Sequence, residues 1–280
     1  MLNLIKSDIY KLRKAKSFWI CIIIAICLSA IMTYFIDFTY KMMNNIEAET
    51  LASEEMMQQN GMNISVGNTP LNYDDLNASS LLLTQFSSSA AILMAVFISL
   101  FVGGEFTYGT IKNLASKNYS RTKIYCSKLI VSIAASLFLT VLSVGSATLV
   151  GTALWGFGNV SSEMAGDLIV GSLIELLLIT AFASLFVMFS MLVRQNGGSL
   201  AVNICTLEFV SLFVMIGEMV IKKVFDKTVT LSNYLLSTNM NQIAMQELTG
   251  KQITRSILVA VVFLSATTAI GLYTFNKRDI

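Results

Sequence analysis

Histidine is absent from this 280-residue chain, which removes the commonest metal ligand and the commonest general base. Proline occurs once, at Pro70, and there are no pairs of Gly/Pro-interrupted apolar segments of the kind that build secondary-transporter sites. Charge is scarce: 13% of residues are charged, against about 25% in ordinary soluble domains. Hydrophobic residues reach 55%, and the mean hydropathy is +0.69. Too little polar surface exists to cover a globule of this length, so lipid is expected to be the solvent for much of the chain. The net charge of +2 excludes no class by itself; its distribution matters more. The four cysteines, Cys21, Cys27, Cys126 and Cys205, lack the paired spacing of a zinc site and read as small buried hydrophobes. No nucleophile stands beside a base, and no two carboxylates have a spacing that fixes acid and base roles. Neither catalytic residues nor a metal site are expected, and a membrane enzyme is disfavoured.

A bilayer core of roughly 30 Å needs about 20 mostly apolar helical residues. Six stretches meet that requirement: 18–36, 81–104, 129–157, 168–193, 198–221 and 256–275. The expected fold is therefore an all-α membrane protein with six transmembrane helices in a single domain over 1–280. The first stretch comes after basic residues, as a secretory signal would. It is longer than the ordinary signal core of about 7–15 residues, and the bulky Tyr34, Phe35 and Ile36 make a poor cleavage site, so it reads as a retained helix.

Orientation is set by lysine and arginine, which stay on the cytoplasmic side near spans. Thirteen lie on one side of the spans: Lys6, Lys11, Arg13, Lys14, Lys16, Lys112, Lys117, Arg121, Lys123, Lys128, Arg194, Lys277 and Arg278. Six lie on the other: Lys41, Lys222, Lys223, Lys227, Lys251 and Arg255. Both termini are thus expected in the cytoplasm. The segment after the fifth span breaks the trend, with five of the six.

The connecting segments differ in character. Residues 37–80 are polar, with Asp37, Glu47, Glu49, Glu54, Glu55, Asp74 and Asp75 against Lys41, and read as an external loop domain in which 46–59 favours helix. Residues 222–254 are less polar; 231–236 and 243–248 fit short interfacial helices as well as a soluble loop. Residues 1–17 place Leu2, Leu4, Ile5, Ile9 and Leu12 at near-helical spacing among basic residues, as in an amphipathic helix lying on the inner leaflet. Ala147 and Gly151 in the third span are spaced for close helix packing, and Gly197-Gly198 is expected to form the turn before the fifth span.

The segment 105–128 is the longest internal linker and is strongly basic. The glycines Gly103 and Gly104 can end the second span. Phe106, Ile111 and Leu114 then form a short apolar face beside polar residues, suited to docking on a cytoplasmic partner. A positive-inside loop with no partner is the alternative.

Glu105, Phe106, Gly109, Thr110, Ile111 and Lys112, followed by Ser120, Arg121, Lys123, Ile124, Ser127 and Lys128, resemble the signature segment of permease subunits of ABC-2 type ABC transporters. The ending Phe275-x-Lys277-Arg278-Asp279-Ile280 is similar to the usual C-terminus of that family, and the basic start and the large loop after the first span share its layout. The resemblance implies a type V exporter-like fold of six helices and assembly with a second permease subunit, as a homodimer or heterodimer. It also implies separate cytoplasmic ABC ATPase subunits that carry ATP and Mg, with no cofactor in this chain and no nucleic-acid partner. It makes Glu105, Phe106, Gly109, Thr110, Ile111, Lys112 and Leu114 a coupling helix seated in the ATPase, with Arg121 in the same contact. Within the family it leans toward bacitracin and lantibiotic immunity exporters of Gram-positive bacteria, hence a multi-pass protein of a bacterial cell membrane that exports, or gives immunity to, an amphipathic substrate such as an antimicrobial peptide.

The run from Gly104 to Thr110 is a near miss to a phosphate-binding loop. Thr110 stands where lysine is needed, and a membrane helix rather than a strand precedes it, so no nucleotide site is expected. Glu175, Glu208 and Glu218 lie inside expected spans, where a charge costs roughly 2.5–3.5 kcal/mol on insertion scales. Glu218 is near a span end and can reach the outer surface. Glu175 and Glu208 read equally as a polar lining of a route or contact between permease subunits, or as protonated glutamates hydrogen-bonded within the bundle. The rival function is a secondary transporter or channel that uses these two as ion sites; a membrane scaffold is a further alternative.

Overall fold

In hydrocarbon a backbone must satisfy its own polar groups, which favours helices in apolar runs free of proline. The computed structural model describes residues 1–50, 76–79, 81–88, 90–116, 119–225, 230–245 and 248–277, and all regular structure among them is helical. The order is α1 (Leu2–Lys14), α2 (Lys16–Thr50), α3 (Leu82–Ser88), α4 (Ala90–Ile98), a π turn (Ser99–Gly103), α5 (Gly104–Thr107), α6 (Thr110–Ser116), α7 (Arg121–Trp155), α8 (Ser162–Val193), α9 (Asn196–Phe225), a 3-10 turn (Ser232–Tyr234), α10 (Leu236–Met245) and α11 (Gly250–Lys277). Six stretches are long and apolar enough to cross a membrane: Lys16–Met42, Leu82–Thr107, Arg121–Trp155, Met164–Val193, Asn196–Val224 and Gly250–Lys277. They correspond to the six runs read from the sequence.

Helix α8 is the hub. It packs against α3, α4, α7, α9, α10 and α11, and buries Leu178, Ile179, Phe186 and Val187. Helix α2 lies along α7, which packs on α8 as well. On α7, Ser132, Ser136, Thr140, Ser143, Ala147 and Gly151 form a buried stripe of small residues that continues the Ala147–Gly151 pair and suits close helix approach. Hydroxyl pairs link helices deep in the bundle, Ser184 with Thr267 at 2.8 Å among them. Asn203 of α9 donates to Ser99 at 2.8 Å and to Ser190 at 3.1 Å, so the π turn, α8 and α9 share one polar knot.

Several sequence expectations are corrected. The helix of the first span runs on to Thr50, so 37–50 is not loop. Asp37 accepts from Trp155 Nε1 at 2.8 Å and pairs with Lys41 at 2.9 Å, which fastens the last residue of α7 to α2. The rest of the acidic segment, with Pro70, lies in 51–75, outside the described residues. The segment 222–254 is not a free loop: it comprises the end of α9, the 3-10 turn, α10 and the start of α11 among the described residues. Leu236, Met240 and Ile243 of α10 are buried, and α10 packs on α3, α8 and α11. The turn before α9 is Arg194–Gln195; Arg194 takes the left-handed conformation at φ 56°, and Gly197-Gly198 lies within the first turn of the helix. Of the cysteines only Cys21 is buried, while Cys27 and Cys205 face outward from their helices.

Gly103 sits where the π turn meets α9. A Cβ there would strike Ser199 Oγ and stand 3.1 Å from the Asn196 backbone. Gly145 has nothing within 4 Å of such an atom. Gly103→Val is therefore expected to cost about 1–3 kcal/mol from overpacking, read as a lower thermal midpoint of the detergent-purified protein, while Gly145→Ala, inside α7 with room for the methyl group, does not lower the midpoint.

Candidate functional site

The site begins in α1. Leu4 and Asp8 are spaced one turn apart and are the two buried residues of this helix, with Asp8 only 1% exposed. Leu2 and Ile9, expected on the apolar face, are exposed. The helix thus turns its Leu4–Asp8 edge to protein and leaves part of its apolar side uncovered. It packs against the start of α7.

There a lysine with no exposed surface, Lys128, receives it. Lys128 Nζ lies 2.6 Å from Asp8 Oδ1 and 2.7 Å from Glu105 Oε1, and it stands 4.9 Å above the ring of Phe101. Ser127 Oγ donates to Asp8 Oδ2 at 2.6 Å. Lys11, one turn beyond Asp8, reaches Glu105 Oε1 at 2.9 Å from a more open position. Two acids and two bases thus balance in charge, contributed by α1, α5 and α7. Glu105 Oε2 is buried with no partner among the described residues. Removing a charge from water costs several kcal/mol, which close and complete pairing offsets.

The π turn sets up this meeting. It carries one residue more than an α turn and shifts the phase of the helix beyond it. Glu105 comes to face α1 and α7, while Thr107 Oγ1 accepts from the Asn196 backbone at 3.1 Å on the α9 side. Gly109, at φ 69°, takes the left-handed conformation that breaks α5 from α6, and Thr110 Oγ1 donates to the Glu105 carbonyl at 3.2 Å. The expected single helix over 105–114 is therefore two short helices around a Tyr108–Gly109 turn.

The end of α11 closes the site from a third side. Phe275 is buried between Phe106 and Tyr125, with ring centroids 6.4 Å from each. Gly271 lies hard against the Tyr125 ring and hydroxyl. Arg121 donates to the Asn276 carbonyl at 3.0 Å, and Asn276 Nδ2 donates to Thr122. The last residues of the C-terminal motif, 278–280, lie outside the described residues.

The sequence-predicted linker residues divide into two sets. Glu105 and Ile111 face inward; Phe106 and Leu114 are half-buried against the core. Tyr108, Lys112 and Asn113 face outward, Tyr108 being 79% exposed. A cavity of about 250 Å3 opens between Phe106, Gly109, Ile111, Lys112 and Arg194.

The glutamates of the spans do not converge. Glu175 is fully buried in α8, and neither carboxylate oxygen has a partner among the described residues. Glu208 is on the outward face of α9 rather than in the bundle interior. Glu218 accepts from Ser232 N and Oγ at 2.5 and 3.1 Å, so it caps the 3-10 turn. Sequence reasoning missed Asp8 and Lys11 and took Lys128 for a linker charge. The available signal was an acid on the Leu4–Leu12 edge of an otherwise basic amphipathic helix.

The model of one family, described as Protein of unknown function (DUF2705), matches residues 63–280. No curated protein and no solved structure matches the chain.

Removing one member of a buried ion pair leaves an uncompensated charge, at about 3–5 kcal/mol. Lys128→Met is expected to destabilise the protein by that amount in thermal unfolding. Adding Asp8→Asn to it should recover part of the loss, a coupling that a double-mutant cycle reads directly.

Proposed function

The chain belongs to this DUF2705 family, and we propose that it serves as the membrane-spanning permease subunit of an ATP-driven ABC transporter of the ABC-2 type. The reading rests on one observation: the residues that carry the resemblance are drawn together at one end of the bundle. Glu105, Phe106, Arg121, Lys128 and Phe275 are distant in sequence, yet they join α1, α5, α7 and α11 through ion pairs and ring contacts. Tyr108, Lys112 and Asn113 project from that body. A cytoplasmic ATPase that engaged them would press on a firmly tied unit, not on a free loop.

In this proposal the basic end lies in the cytoplasm with both termini, in line with the lysine and arginine bias. ATP and Mg belong to the partner subunit. Glu208, outward in mid-helix, would cost roughly 2.5–3.5 kcal/mol against lipid, so a second permease subunit or a water-filled route covers it in the assembled transporter. The substrate class is hydrophobic or amphipathic, an antimicrobial peptide being the preferred example, in a bacterial cell membrane. Export and immunity are the proposed roles.

A second reading draws on Glu175. Its buried, unpartnered carboxylate suits a proton or cation site in a gradient-driven transporter or channel.

The full chain, purified with its native cytoplasm present, is expected to bring down an ABC ATPase, and Tyr108→Ala with Lys112→Ala should lower substrate-stimulated ATP hydrolysis and transport together. A preparation that never contains an ATPase, yet transports in liposomes under an ion gradient and loses that transport in Glu175→Gln, would select the second reading.

A further inference from the structure

The basic residues beyond the fifth span run against the charge bias of the rest of the chain, and two of them meet. Lys251 and Arg255 lie one turn apart on α11 and line a cavity of about 550 Å3 together with Tyr234, Gly250, Thr254 and Leu258. It sits at the opposite end of the bundle from the Lys128 cluster, since Phe275 at the far end of α11 touches Phe106. Like charges one turn apart repel by a few tenths of a kcal/mol. Among the described residues no carboxylate pairs with either cation.

Arg255 is nonetheless held in place. Its Nη2 donates to Gln242 Oε1 of α10, and its Nε is buried with no acceptor among the described residues. A fixed guanidinium and an exposed ammonium therefore border one open space that contains no described counter-charge. An anion complements it.

Depth narrows the anion further. The 28 residues of α11 extend about 42 Å, against a hydrocarbon core of roughly 30 Å. About four residues at each end then stand at headgroup level. Lys251 falls there, Arg255 at the boundary, and Leu258 inside it. Leu258 is 56% exposed and Tyr234 57%, so apolar walls continue the cavity toward lipid. Cationic contacts at headgroup depth above an apolar wall match a phosphate attached to an acyl chain.

We propose that this cavity binds the phosphate group of an anionic phospholipid, with Lys251 and Arg255 as its cationic contacts and Leu258 against the first acyl methylenes. The site stands apart from the transport reading; only the leaflet it faces, the outer one, depends on the topology proposed above.

The test uses the full chain in nanodiscs of phosphatidylcholine with added phosphatidylglycerol, released into detergent and read by native mass spectrometry for retained lipid. The wild type is expected to retain phosphatidylglycerol in preference to phosphatidylcholine. Lys251→Gln should cut that preference about fivefold, and Lys251→Arg should keep it. Lys251 is exposed and makes no hydrogen bond or ion pair among the described residues, so its substitution spares the fold; Arg255→Lys serves as a second, charge-preserving probe of the fixed guanidinium and should weaken retention. Inorganic phosphate that displaces the lipid at millimolar concentration would support the oxyanion chemistry and name a soluble phosphate compound as ligand; failure to displace supports the lipid. Equal retention of the two lipids, equal behaviour of wild type and Lys251→Gln, or an equal loss in Lys223→Gln, which lies off the cavity, would each overturn the proposal.

Discussion

Lys128 carries its ammonium group to a position with no exposed surface, and that burial dictates the arrangement of one whole end of the molecule. The group needs carboxylates at contact distance, and none is available on its own helix. Asp8 arrives from α1 at 2.6 Å and Glu105 from α5 at 2.7 Å. Helix α1 has Leu4 as its only buried large apolar side chain among those described, so apolar packing alone holds it weakly. Its register against α7 is set by the ion pair and by the Ser127 hydroxyl on the other carboxylate oxygen. A slide of one turn would put another α1 residue at the ammonium and strand Asp8.

The same requirement reaches the bundle through the backbone. Glu105 can face α1 and α7 because the π turn rotates the chain beyond Gly103. That turn needs a neighbour that tolerates close approach, and Gly103 against Ser199 and Asn196 provides it. Thr107 then binds the start of α9, and Asn203, about two turns along that helix, binds Ser99 at the start of the π turn. Helix α9 is otherwise little covered: the 18-residue apolar window of its span has no buried residue. Its polar attachments lie in its first turns and again near the far end, where Glu218 accepts from Ser232.

How much of this was legible in the sequence depends on which physical signal carried it. The six long helices were, because apolar length is local and lipid leaves the backbone few options. The importance of 105–128 was legible as a pattern of residues, though not as geometry. Glu105 looked like an outward contact because a glutamate in a basic linker is ordinarily solvated. Its burial depends on Lys128 and Asp8, which are distant in sequence, and no periodicity links them. The exposed faces of α2 and α9 were equally hidden: Cys27 and Cys205 sit in apolar runs, and hydropathy does not distinguish a face against lipid from one against protein. The fold of α10 onto α3 failed to register for a different reason, since a short helix of mixed polarity fits an interface, a loop or a cap alike.

Stability alone does not account for the cluster. An apolar set of similar volume would hold α1, α5 and α7 together at least as well, since desolvation consumes much of what the ion pairs contribute. What charges add is discrimination: a displaced arrangement leaves a bare charge, at about 3–5 kcal/mol, whereas displaced apolar side chains find other contacts. The end of the bundle therefore resists slipping at the joint between α1, α5 and α7. Force applied at Tyr108 or Lys112, as the proposed coupling role demands, would move that end as a unit. One joint next to that end is the attachment of α9 through Thr107 and Gly103, and α9 is the helix that carries Glu208 on its uncovered face. Helix α8, by contrast, packs against six other helices, α7 and α11 of the cluster among them.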